Sequence, residues 1–88
     1  MNPDCAEYYF NIGAVYYKQR LWDKALFNFQ RAIELNTSYS EAYYNLGIVY
    51  YKKRLPEKAI HEFKEALKID PNYTKAHRAL DLINKEKR

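Results

Sequence analysis

With 88 residues, the chain holds one small domain at most, and its 48% hydrophobic and 30% charged residues suit a folded protein rather than a disordered one. Two Gly and three Pro are too few for the turns of a many-stranded sheet, so long helices with short connections are expected. The net charge of +4 is uneven, −1 over residues 1–51 and +5 over residues 52–88, which permits contact with acidic partners but falls short of a strongly basic nucleic-acid surface.

In chain order, apolar residues recur at helical spacing in five stretches. The first covers about 5–18, with Tyr9, Ile12, Gly13 and Tyr16 in step. The second covers about 23–35, carrying Ala25, Leu26, Phe29, Ala32 and Ile33. Copies follow at about 39–52 and 57–69, and a fifth helix at about 73–86 carries Ala76, Ala79, Leu80 and Ile83. Asp4, Ser38 and Asn72 stand 34 residues apart and are expected as N-caps; Glu7 and Glu41, three residues after the first two, would complete capping boxes.

The period is the main signal. Residues 6–39 laid on residues 40–73 give fifteen identical pairs of 34, without gaps. The run Val15-Tyr16-Tyr17-Lys18 returns as Val49-Tyr50-Tyr51-Lys52. A fixed period of this length marks stacked supersecondary units. Gly13 and Gly47 fall inside helices, where Gly costs about 1 kcal/mol relative to Ala. Close approach of the second helix of the same hairpin would account for them, with small Ala25, Ala32, Ala59 and Ala66 at matching depth.

Residues Tyr9, Ile12, Gly13, Tyr16, Ala25, Phe29 and Ala32, and the second set Tyr43, Leu46, Gly47, Tyr50, Ala59, Phe63, Ala66 and Pro71, resemble the tetratricopeptide repeat (TPR) signature. The resemblance implies an all-α solenoid of tandem antiparallel helix hairpins, about five helices. Repeat 1 would span 6–39 and repeat 2 40–73, with a C-terminal solvating helix at 74–88. Residues 1–5 would be the close of a preceding repeat or an engineered start, because Asn2-Pro3 matches Asp70-Pro71; a segment of a longer array is the expectation. The pattern is broken at Thr37, where Pro is usual, and at Arg20 and Arg54, where Gly is frequent; positive φ with some strain, or a different turn, would follow. Asp81 occupies the place of Gly13 and Gly47 in the last helix, whose polar face includes Arg78, Asp81 and Lys85.

No catalytic constellation emerges, so a non-enzymatic module is expected. Cys5, His61 and His77 are too few and too scattered for a zinc site, and neither metal nor cofactor is expected. His61 should point outward and His77 should replace a core aromatic. A lone cysteine and the lack of a membrane-length apolar run suggest a cytoplasmic location.

Helical spacing splits the adjacent tyrosines. Tyr9, Ile12, Tyr16 and their copies form a core stripe. Glu7, Phe10, Asn11, Ala14, Tyr17 and Lys18 form the other stripe, repeated by Glu41, Tyr44, Asn45, Ile48, Tyr51 and Lys52 and continued by Lys75, Arg78, Leu82 and Lys85. The family resemblance makes this second stripe the concave groove. It implies a peptide-binding site of Phe10, Asn11, Ala14, Tyr17, Lys18, Tyr44, Asn45, Ile48, Tyr51, Lys52, Lys75 and Arg78, with Asn11 and Asn45 holding a peptide backbone. The carboxylate clamp of chaperone-binding relatives is not expected, because its five places hold Phe10, Ala14, Asn45, Lys75 and Ala79. The partner expected is a protein segment with apolar or aromatic side chains. The alternatives are self-assembly through exposed repeat ends and, less favoured, nucleic-acid binding.

Overall fold

The computed structural model describes residues 5–86. Five helices follow one another: α1 (Cys5–Lys18), α2 (Trp22–Leu35), α3 (Ser40–Lys52), α4 (Pro56–Ile69) and α5 (Thr74–Glu86). Helices α1 and α2 form one hairpin and α3 and α4 a second; α2 packs on α3, and α5 closes against α4. The stack is elongated, 49 × 28 × 16 Å. Helix α4 opens on Pro56, a residue whose missing N–H is harmless in the first turn.

The turn inside each hairpin is a Schellman motif built by the repeated tyrosines. Leu21 N–H donates to the Tyr16 carbonyl (3.0 Å) and Arg20 N–H to that of Tyr17 (3.0 Å); Leu55 and Arg54 repeat this on Tyr50 and Tyr51, both at 2.9 Å. Such a turn needs a left-handed residue, and Arg20 and Arg54 supply it at φ 62° and 65°. A side chain in that region costs about 1–2 kcal/mol relative to Gly.

Between hairpins the start signals differ from expectation. Ser38 does not cap α3: the helix opens at Ser40, after Tyr39, with no side-chain cap bond. The chain instead makes an Asx turn, in which Asn36 Oδ1 accepts from Ser38 N–H (3.0 Å), and Asp70 Oδ1 does the same for Asn72 N–H (3.1 Å). Those side chains hold the turn two residues ahead of the helix, so Asn72 is likewise displaced from the start of α5. Asp4, the remaining expected cap, lies outside the described residues.

The core follows the repeat. Ala25, Phe29, Leu46 and Val49 form one buried cluster between the hairpins. Ala59, Phe63, Ala66, Ala76 and Ile83 form the other, under α5. Burying each Phe stabilises by about 1.5–3 kcal/mol. The expected core stripe is shallower than predicted: Tyr9, Ile12, Tyr16, Tyr43 and Tyr50 are half-buried, and of that stripe only Leu46 is buried. Lys24 and Lys58 cover the open faces of Tyr16 and Tyr50, 5.5 and 5.6 Å from the ring centres.

The mid-helix glycines do admit the second helix of their own hairpin, but the contact is an aromatic ring rather than the alanines. A Cβ on Gly13 would stand 2.7 Å from Phe29 Cε1, and one on Gly47 2.6 Å from Phe63 Cε1. His77 is another correction. It is exposed, its Nε2 2.8 Å from the Pro71 carbonyl oxygen, because α5 has no further hairpin over that face among the described residues. His61 is exposed as expected. Helix α5 covers α4 with Ala76, Ala79, Leu80 and Ile83, leaving Arg78, Asp81 and Lys85 exposed.

Candidate functional site

The adjacent tyrosines of α1 and α3 divide as helical geometry requires, about 100° apart. Tyr16 and Tyr50 pack toward the hairpins, while Tyr17 and Tyr51 line hollows on the other face, Tyr17 also packing against the first core cluster. On that face Ala14, Tyr17 and Lys18 of α1 meet Tyr44, Asn45 and Ile48 of α3 around a hollow of ≈ 220 Å³. All six belong to the groove predicted from sequence. No side-chain hydrogen bond among the described residues engages Asn45, so its amide is available inside the hollow as both donor and acceptor.

The walls are fixed by ring packing. Tyr17 leans on Trp22 at 5.5 Å between ring centres. Tyr44 is wedged between Phe63 (5.6 Å) and Tyr73 (5.4 Å). Burial pushes the Tyr44 hydroxyl pKa up, and the neighbouring Tyr17 adds to this, so the Tyr44 phenol stays a neutral donor near pH 7. Phe10 occupies the place matching Tyr44 and makes the matching contacts, onto Phe29 (5.6 Å) and Tyr39 (5.0 Å, stacked), but lines neither the hollow between α1 and α3 nor one between α3 and α5.

A second hollow of ≈ 80 Å³ lies between α3 and α5, lined by Ile48, Tyr51, Phe63, Ala79, Leu82 and Ile83. At its rim the Tyr51 hydroxyl donates to the Glu86 carboxylate, with contacts of 2.8 and 2.7 Å. That bond, followed by slight burial and the carboxylate charge, raises the Tyr51 pKa. Lys52 joins Tyr51, Arg54, Pro56 and Glu86 around a shallower surface depression. Asn11, Lys75 and Arg78 are exposed and line neither hollow. Sequence reasoning missed Ala79 as a wall and Glu86 as a partner of Tyr51. Counting 34 on from Asn45 reaches Ala79, but nothing local signals Glu86, 35 residues after Tyr51.

Ion pairs occur elsewhere: Arg31 with Glu34, Lys53 with Asp23 and Lys68 with Glu65. Lys18, Lys52, Lys75 and Arg78 have none among the described residues. No three His, Cys, Asp or Glu side chains converge among the described residues in a manner able to hold a metal ion. No described helix is long and apolar enough to cross a membrane.

Tandem helical hairpins repeated at a fixed 34-residue period define a helical-repeat solenoid. A family profile for the tetratricopeptide repeat matches residues 6–39 and again 40–73, and the chain belongs to that family. Among solved structures, MamA matches with TM-score 0.92 and 32% identity over 98% of this chain and 50% of its own. YrrB, described as a TPR protein with an unusual peptide-binding site, matches with TM-score 0.86 and 29% identity over 91% of this chain and 41% of its own. The first TPR of Spaghetti (RPAP3), bound to the HSP90 peptide SRMEEVD, shares the fold at TM-score 0.89 and 24% identity, covering 97% of this chain and 68% of that one. The chain thus spans about half the length of the MamA and YrrB structures. Comparison with curated proteins by sequence gives no match.

Proposed function

We propose that the chain is a non-catalytic protein-interaction module that holds a peptide segment of a partner in the groove of α1, α3 and α5. One observation carries this reading: an unengaged Asn45 amide sits in an open hollow walled by Tyr17, Tyr44 and Ile48. Its amide can take both a carbonyl and an N–H of an extended backbone, and the walls can bury one large side chain, which is worth about 1.5–3 kcal/mol. Family membership and the peptide-binding description of YrrB support it. The groove does not grip a terminal carboxylate, since two of the positions that would do so are Phe10 and Ala14. Lone Cys5 makes no intrachain disulfide, and a cytoplasmic setting belongs to this reading.

The test uses a peptide selected against the chain from a random dodecapeptide library, labelled and titrated by anisotropy. Tyr17→Ala combined with Tyr51→Ala, with helix content checked by circular dichroism, should weaken binding by about tenfold or more. Unchanged affinity in the folded double variant sinks the groove assignment.

A second reading, self-assembly through the α1 end, has one observation in its favour. Tyr8 and Val15 are 57% and 54% exposed, whereas Ala42 and Val49, their counterparts one repeat on, are 0% exposed beneath the first hairpin. Light scattering over a concentration series decides it: a strict monomer at high concentration removes this reading.

A further inference from the structure

The two hollows are one site repeated. Ala14, Tyr17, Asn45 and Ile48 of the first correspond, 34 residues on, to Ile48, Tyr51, Ala79 and Leu82 of the second. The backbone frame is shared, but the chemistry diverges. The first hollow offers an amide and the Lys18 ammonium in ≈ 220 Å³. In the second a methyl group, Ala79, replaces the amide, Phe63 and Ile83 reach the floor, and the space falls to ≈ 80 Å³. Leu82 forms its outer wall and is 61% exposed, a large apolar side chain standing in water beside an apolar depression. Lys18 lines the first hollow and Lys52 stands beside Tyr51 in the adjoining depression, and neither has an ion pair among the described residues. Glu86, at the second hollow's rim, is held by the Tyr51 hydroxyl.

We propose that the second hollow is a distinct subsite for a small aliphatic side chain of an acidic, extended peptide whose larger neighbour fills the first hollow. This rests on the peptide-groove reading above and adds the order and spacing of its ligand. Ile48 of α3 lines both hollows, so the two subsites are separated by one helix diameter, about 10 Å. A polyproline-II segment rises about 3.1 Å per residue with three residues per turn, so positions i and i+3 share a face at about 9 Å. The ligand signature is therefore a bulky residue, two spacers and a small aliphatic residue, flanked by carboxylates that meet the unpaired lysines. The amide and larger volume select the bulky end; the absence of any polar group on Ala79, Leu82 and Ile83 selects the aliphatic end, since a polar side chain there would lose its water without a partner.

The probe is the peptide acetyl-Asp-Glu-Phe-Pro-Pro-Val-Asp-Glu-amide with a fluorescein label, titrated by anisotropy against the full chain. Leu82→Asp, a change at an exposed position, should weaken this probe by about tenfold or more. Against a control in which the probe's valine is glycine, it should weaken binding only about two- to fivefold, the effect of one added like charge. Glu86→Gln should tighten binding about two- to fivefold, as expected for relief of one exposed like charge. A probe with three spacer prolines, or with lysines for its acidic residues, should bind more weakly than the original. If Leu82→Asp changes nothing while Tyr17→Ala weakens the probe, the groove reading stands and the second subsite is overturned. If neither variant has an effect, the groove reading itself falls. Failure of the probe to bind at millimolar protein overturns the proposal, as does tighter binding of an octauridine oligonucleotide than of any peptide.

Discussion

Replacing Gly47 with Ala sets two opposed effects against each other, and the structure says which wins. In a solvated helix the change stabilises by about 1 kcal/mol. Here the new Cβ would lie 2.6 Å from Phe63 Cε1, 2.8 Å from Cδ1 and 3.1 Å from Cζ. Carbon atoms pack at about 3.5–4.0 Å, so the ring must move by about 1 Å. Phe63 is fully buried and backed by Tyr44, so it has nowhere to go without disturbing the second core cluster. Overpacking costs about 1–3 kcal/mol, and a shortfall this large belongs at the upper end. The net expectation is destabilisation by about 1–2 kcal/mol, or a melting-point drop of roughly 5–15 °C in a chain of this size. Urea and thermal unfolding followed at 222 nm measure it. In a Phe63→Leu background the clash is relieved, and the same Gly47→Ala change should become neutral or stabilising, giving a coupling of opposite sign. A stabilising Gly47→Ala in the wild-type background would refute the idea that the ring, rather than helix propensity, explains the glycine.

Arg54→Gly should stabilise by about 0.5–1 kcal/mol, because relief of the left-handed side chain outweighs the entropy of a more flexible unfolded chain; chemical denaturation checks this. Tyr73 carries a pH dependence. Chiefly through burial, with smaller contributions from Glu41, Tyr44 and Asp70, its pKa rises from 10.0 to about 12. A raised folded-state pKa means that this stabilisation is intact below pH about 10 and is lost between about 10 and 12. Tyr73→Phe should keep the fold further into alkali, and circular dichroism against pH shows whether it does. An Asp-terminated chaperone tail should give no saturable heat in calorimetry at 100 μM protein (about −5.5 kcal/mol as the detectable limit), since Phe10 and Ala14 stand where cationic or amide side chains would be needed.

Much of the fold was legible because the chain repeats itself. Fifteen matched pairs fix the register of both hairpins, and helical spacing alone separates Tyr16 from Tyr17 and Tyr50 from Tyr51. What escaped depends on contacts across elements or on competition between nearby polar groups. Ser38 is a good cap by type, yet the Asx turn made by Asn36 keeps it in the connection, two residues before the helix begins at Ser40. The nearest neighbours of Gly13 and Gly47 are the Phe29 and Phe63 rings, contacts across the hairpin that spacing within one helix does not name. Phe10 and Tyr44 share a stripe position and make matching ring contacts one repeat apart, Phe10 with Phe29 and Tyr39 and Tyr44 with Phe63 and Tyr73, yet only Tyr44 lines the first hollow, because that hollow lies between α1 and α3 and no described helix precedes α1 to form its counterpart at Phe10. Glu86 reaches Tyr51 through the crossing of α5 over α3, a distance no local pattern encodes.

The most direct measurement of the central claim is a nitrogen-15 amide titration of the chain with the library-selected peptide. The account predicts shift changes clustered at Ala14 to Lys18 and Tyr44 to Ile48, where α1 and α3 line the first hollow. Changes confined to the opposite surface, around exposed Phe27 and His61 on α2 and α4, would contradict it.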